Sequence, residues 1–179
     1  MAIKKAAKQA SRVPLALQVL MVDHAAVDKL FRRYARQRDN AERAATVKEI
    51  CAALALHAEI EETIFYPEVR GSVKDEDLLD EAEVEHAHIK LLVEWLATAD
   101  PTEDLYDARV TVLKEYVKHH VEEEETELFP KLKRADLDLD EMGERLLEAK
   151  GEGPDQPADA AVNPTAQKPR PLSASTRRA

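Results

Sequence analysis

His57-Ala58-Glu59-Ile60-Glu61-Glu62-Thr63-Ile64-Phe65-Tyr66-Pro67 is matched further along the chain by His120-Val121-Glu122-Glu123-Glu124-Glu125-Thr126-Glu127-Leu128-Phe129-Pro130. Each stretch has a His, a Glu four residues later, a second Glu beside it, an aromatic residue and a closing Pro. Each is preceded by an acidic residue and a His, Asp23-His24 in the first half and Glu85-His86 in the second. The separation is 33 residues from His24 to His57 and 34 from His86 to His120. Four of the six histidines and two glutamates therefore form a two-fold set, which is what a pair of transition-metal ions inside a four-helix bundle needs.

The surrounding sequence is helical. Residues 13–38 carry an apolar stripe through Leu17, Leu20, Val27, Leu30, Phe31 and Tyr34, broken at Asp39-Asn40. A second helix is expected over 41–66, ending at Pro67, and a third over 75–98. Asp100-Pro101-Thr102 reads as a turn whose Asp100 or Thr102 caps a fourth helix over 103–129. A shorter amphipathic segment covers 138–149. The domain reading is a basic N-terminal extension at 1–12, an up-down-up-down antiparallel four-helix bundle of the all-α class at 13–150, and a tail at 151–179. The tail is rich in Gly, Pro, Ala and Ser, has almost no large apolar residue, and is expected to be disordered.

Helix geometry brings the motif residues together. His24 lies 15 residues before Asp39 and His57 lies 17 after Asn40, so at about 1.5 Å per residue they are level on antiparallel helices. His86 lies 14 before Asp100 and His120 lies 18 after Thr102, again level. A Glu four residues after its His is about 40° around the helix and one turn along, so both side chains face one centre. Glu61 and Glu124 are thus the ligand candidates, with His24, His57, His86 and His120, while Glu62 and Glu125, about 140° away, are not. Six such groups are costly to bury without a cation. Two carboxylates for two ions suits bridging, with His24 and His57 on one ion and His86 and His120 on the other. Imidazole and carboxylate without thiolate suit iron, manganese or zinc.

Composition excludes several classes. The net charge is −10; residues 1–13 carry +4 and residues 151–179 carry +1, which leaves −15 on residues 14–150. Such a body repels phosphate backbones, so no nucleic-acid partner is expected. The single cysteine, Cys51, rules out an intrachain disulfide framework and suits a reducing compartment. There is no apolar run long enough for a membrane span and no secretory h-region at the basic start, so the expected location is the cytoplasm.

Other residues read more plainly. His88 and His119 point away from the motif histidines and belong on the surface. Phe65 and Phe129 close the core, and Cys51 is a buried small apolar residue. The run Glu122–Glu125 is mostly a solvated face apart from Glu124. Tyr116, one turn before His120 on the same face, is core or a neighbour of the metals.

These features resemble the hemerythrin-like family, the HHE cation-binding domain. The resemblance rests on Leu20-Met21-Val22-Asp23-His24 with Leu30-Phe31, His57-x-x-x-Glu61-Glu62 before Phe65-Tyr66-Pro67, Glu85-His86 with Ile89, and His120-x-x-x-Glu124-Glu125 before Phe129-Pro130. It covers about 14–135. It implies an antiparallel four-helix bundle around a non-haem diiron centre with an oxo or hydroxo bridge, manganese or zinc being less suited. It implies dioxygen, peroxide or nitric oxide as small ligands, with oxygen or iron sensing, iron storage and peroxide breakdown among the family's activities. The chain departs from the oxygen carriers: they have His-x-x-x-His on the third helix, where Lys90 stands here four residues after His86. They also bridge with an Asp five residues after its His, where Glu124 stands at four. The expected function is binding or sensing of dioxygen and related diatomics or iron. The alternatives are a diiron peroxidase or catalase acting on hydrogen peroxide, and a structural metal site in an interaction protein. The vacancy left by Lys90 is open to water, Tyr116 or another oxygen ligand.

Overall fold

Asp39 decides where the first hairpin turns. Its side chain accepts hydrogen bonds from the backbone N–H groups of Ala41 and Glu42, each at 3.0 Å, which caps the helix that follows. The structure, a computed structural model, describes residues 12–73 and 76–151. Helix α1 is Leu15–Arg36. Helix α2 starts as Asn40–Ile60 and runs without a break through a π-helical turn, Glu61–Phe65, into a last turn, Tyr66–Val69. Helix α3 is Asp77–Thr98. Helix α4 repeats the form of α2: Tyr106–Glu123, a π-helical turn Glu124–Leu128, and a last turn Phe129–Leu132. Helix α5 is Leu139–Ala149. The expected up-down-up-down bundle is formed by α1 to α4, with α1 against α2, α2 against α3 and α3 against α4. The expected extension at 1–12 falls almost wholly outside the described residues, and so does the expected disordered tail.

Three helix boundaries differ from the sequence reading. Helix α4 begins at Tyr106, not 103. Asp100 closes its own turn, accepting from the Thr102 backbone N–H at 2.8 Å, so it caps no helix. The chain enters α4 through Leu105 in the left-handed region, φ 68°. Helices α2 and α4 also continue past Pro67 and Pro130. A π turn shifts the hydrogen-bond ladder by one residue, so a proline placed after it costs no regular i→i−4 bond.

The buried apolar residues fall into two clusters. One holds Leu17 and Leu20 of α1, Phe65, Tyr66 and Val69 of α2, Leu79 of α3, Leu128, Phe129 and Leu132 of α4, and Leu139, Met142 and Leu146 of α5. The other holds Val27 and Phe31, Val47, Ile50 and Leu54, Ile89 and Leu96, and Val110, Leu113 and Val117. Along every helix the motif histidine lies between the two. The polar layer therefore cuts the core in half, and buries His24, His57, His86, His120, Glu61 and Glu124. Among the described residues, no helix is long and apolar enough to cross a membrane.

Helix α5 lies on α1, with the Leu15 backbone N–H donating to Asp140 at 2.7 Å and Lys150 Nζ donating to Asp23 at 2.6 Å. Gly143 permits this approach: a Cβ there would stand 2.5 Å from the Ala16 backbone nitrogen. In an open helix Gly→Ala stabilises by up to about 1 kcal/mol. Here the backbone must move, so Gly143→Ala is expected to destabilise by about 1–3 kcal/mol in denaturant titrations.

Candidate metal centre

The α-helical period brings each motif His and the Glu four residues later onto one face, and the π turn then begins at that Glu in both halves. The Tyr66 N–H donates to Glu61 O and the Phe129 N–H to Glu124 O, five residues back. In an unbroken α-helix Tyr66 would stand about 180° from His57; the extra residue in the turn brings it to about 80°. This local widening places Tyr66 and Phe129 against the polar layer.

The six expected residues meet as the spacing requires. His24 Nε2 and His57 Nε2 are 3.2 Å apart, and His86 Nε2 and His120 Nε2 are 3.0 Å apart. Each glutamate reaches across both pairs. Glu61 Oε2 is 3.2 Å from His57 Nε2 and 3.4 Å from His86 Nε2. Glu124 Oε2 is 3.3 Å from His24 Nε2 and 3.7 Å from His120 Nε2. One group of donors that could hold an ion is His24, His57, Glu61 and Glu124, and a second is Glu61, His86 and His120.

An outer ring of carboxylates fixes the imidazoles. His24 Nδ1 meets Glu125 at 2.8 Å, His86 Nδ1 meets Glu62 at 3.1 Å and His120 Nδ1 meets Glu85 at 3.0 Å. His57 Nδ1 lies 3.5 Å from Asp23. A carboxylate facing Nδ1 draws the ring proton there, so Nε2 is the atom whose lone pair a cation takes once it displaces the proton the bare chain can hold there. Two such lone pairs at about 3 Å repel each other. Both oxygens of Glu61 and one of Glu124 are likewise buried without a hydrogen-bond donor. Converging, unsatisfied acceptors are what metal cations neutralise, so the donor set fits two of them.

The titration behaviour of the bare chain says the same. Burial pulls the His120 pKa down, but Glu124, Glu85 and Glu61 outweigh it and raise it to about 9. Burial likewise opposes the rise at His24, which Glu124, Glu61 and Glu125 bring about. Burial would raise the Glu124 pKa, yet His120, His24 and His57 hold it below the usual carboxylate range. Without metal, protons on imidazole are the positive charge the glutamates can find.

Tyr66 is the residue that sequence reasoning missed. Its hydroxyl donates to Glu124 Oε1 at 3.0 Å and lies 3.4 Å from both His86 Nε2 and His120 Nε2. Burial first, then the charges of Glu124 and Glu61, raise its pKa well above the usual phenol range, so it keeps its proton in the bare chain. Its counterpart in the other half is Phe129, whose ring stacks at 6.2 Å on His24. Tyr116, the tyrosine expected near the site, is 38% exposed and stacks on His88. It sits on the same helix face as His120 one turn earlier, but there the face has turned toward the bundle edge. Glu125, expected in solvent, is held by His24. His88 and His119 lie at the surface as expected. Lys90 points away from the layer and pairs with Glu62.

A small enclosed cavity adjoins the Nε2 atoms. It has a volume of about 20 Å³, and its apolar lining includes Val27, Leu54, Ile89 and Val117, one residue from each helix of the bundle.

Comparison with known proteins agrees with this geometry. The hemerythrin HHE cation binding domain family matches residues 15–132. A protein of Nostoc sp. (strain PCC 7120) described as a DNA nickase is 32% identical over 114 residues. The match spans 62% of this chain but only 31% of that protein's length. The crystal structure of a hemerythrin HHE cation binding domain-containing protein from Mycobacterium kansasii is similar, with a TM-score of 0.63 and 26% identity over 76% of this chain and 85% of that one.

The outer carboxylates can be tested apart from the inner ones. Glu125→Ala is expected to weaken metal binding about 10–100-fold in a chelator competition, by freeing the His24 ring. His57→Ala or His120→Ala should lose metal outright, whereas His88→Ala and His119→Ala should bind as the unaltered chain does. A His119→Ala variant that empties while His120→Ala does not would reverse the register of α4.

Proposed function

Since the chain belongs to the hemerythrin HHE cation-binding domain family, we propose that it holds two iron ions and binds dioxygen and related diatomics. His24 and His57 are terminal donors to one ion and His86 and His120 to the other, with Glu61 and Glu124 between them. The observation that carries this reading is the convergence of four imidazole Nε2 atoms on Glu61, neither of whose oxygens has a hydrogen-bond partner, and on Glu124 Oε2, which has none either. When bound, iron supplies redox chemistry toward dioxygen and peroxide; manganese or zinc would fit the donors less specifically. The domain comprises 13–150, the proposed location is cytoplasmic, and no nucleic-acid partner is proposed. The nickase relative is matched over too little of its length to lend its activity.

The chain's own residues do three things around the ions. The outer carboxylates fix the imidazole rings, so the donors need no reorganisation as charge changes. The apolar residues over the Nε2 atoms keep bulk water out and leave room for one small molecule, since about 10–15 Å³ holds a single water. Tyr66 holds a hydroxyl proton at the layer, on the side of His86 and His120. That proton favours a second reading, peroxide breakdown, in which a reacting oxygen needs a donor within reach. With Lys90 turned away from the layer, Tyr66, whose hydroxyl lies 3.4 Å from His86 Nε2 and His120 Nε2, is the oxygen that would stand nearest an ion held by that pair.

Reduced, iron-loaded protein exposed to dioxygen is expected to gain visible absorption that falls on degassing and is gradually lost over repeated cycles. Tyr66→Phe should slow that loss several-fold, because the nearby proton donor is gone. No spectral response to dioxygen, together with sustained oxygen release from hydrogen peroxide, would replace the first reading with the second.

A further inference from the structure

The two halves of the site are alike in their ligands and unlike in what flanks them. Between α2 and α3 lies an open cleft of about 530 Å³, lined among others by Glu62, Tyr66, Arg70, Glu83, Ala87 and Lys90. Its lining carries two cations and two anions, already paired: Arg70 with Asp80 and Glu83, and Lys90 with Glu62. Two of its residues also touch the centre. Glu62 accepts from His86 Nδ1 on its inner side at 3.1 Å and from Lys90 on its outer side. Tyr66 forms part of the lining and carries its hydroxyl through to Glu124, His86 and His120. The wall between cleft and centre is one side chain thick.

The other flank is built from different residues. Under the pseudo-two-fold, Glu125 matches Glu62 and Lys133 matches Arg70, but Phe129 stands for Tyr66, Asp28 for Lys90, Met21 for Glu83 and Ala25 for Ala87. Phe129 has no hydroxyl to offer, and Asp28 is drawn to Arg32. The phenol and the ammonium that could hand a hydrogen-bonding molecule inward past the carboxylate therefore stand on the α2–α3 side. The apolar cavity over the Nε2 atoms offers such a molecule little. Taking an unsatisfied hydroxyl into apolar surroundings is penalised, and a diatomic gas meets no such penalty.

We propose that the α2–α3 cleft is a docking and access site for hydrogen peroxide, separate from the apolar cavity that admits diatomics. Peroxide has two O–H donors and four lone pairs, and the cleft presents carboxylate, ammonium, guanidinium and phenol to them. It reaches the centre past Tyr66 when Glu62, whose side chain is 31% exposed, swings toward solvent with Lys90. This rests on the diiron reading above.

Ala87 is an exposed residue of the cleft wall, and its counterpart Ala25 is exposed on the opposite flank. In iron-loaded protein, Ala87→Trp is expected to slow oxidation of the reduced centre by hydrogen peroxide at least tenfold, and Ala87→Leu to slow it less. Nitric oxide association should change less than twofold in either. Ala25→Trp should leave both rates within twofold. Iron content and nitric oxide binding of the unaltered chain report on the diiron reading by themselves; the ratio of rates among variants reports on the cleft. An unchanged peroxide rate in Ala87→Trp overturns the proposal. So does equal slowing by Ala25→Trp, or slowing of nitric oxide in the same proportion as peroxide.

Discussion

Imidazole Nε2 atoms facing one another at 3.2 and 3.0 Å in a buried layer are the constraint on which the rest of this structure depends. They are held there by carboxylates outside them: Glu125, Glu62 and Glu85 each take a ring N–H, and Asp23 faces the fourth. The inner carboxylates, Glu61 and Glu124, reach across both imidazole pairs. An apolar core cannot supply what these atoms lack. The core accordingly gives way to them, splitting into one cluster on each side of the layer. Cations satisfy the layer, and cation binding then becomes part of the folding free energy.

The two-fold pattern is kept where donors are needed and dropped elsewhere. Both halves use the same π turn to widen the helix after the bridging glutamate. At the widened position one half places a phenol and the other a phenyl ring. The outer side of Asp23 is covered by Lys150 from α5, while the corresponding Glu85 faces His119 and the solvent. One centre is thereby given two unlike sides, a polar approach beside Tyr66 and a packed side beneath α5.

The level of the four histidines was legible in the sequence because it depends only on helical rise and on where two turns fall. Asp39 and the Asp100 turn mark those points well enough that a start displaced to Tyr106 does not disturb it. The burial of Glu61 and Glu124 beside the histidines was legible because four residues is nearly one α-helical turn. Tyr66 was hidden, since its place follows from a π turn and the α period put it on the wrong face; the same period made Tyr116 look closer than it is. The roles of Glu62, Glu85 and Glu125 were hidden for another reason. Each grips a histidine on a different helix, and such pairings come from packing, which spacing along one helix does not encode. The repeated acidic residue before each upstream histidine was the signal that could have revealed Asp23 and Glu85.

A polar layer built to contain two cations has a stoichiometry that can be counted. The direct measurement is metal content per chain at saturation, taken after dialysis against iron under reducing conditions and checked by titration of the apoprotein. Two equivalents per chain are expected, with His119→Ala unchanged. One equivalent or fewer in fully loaded, folded protein would contradict it.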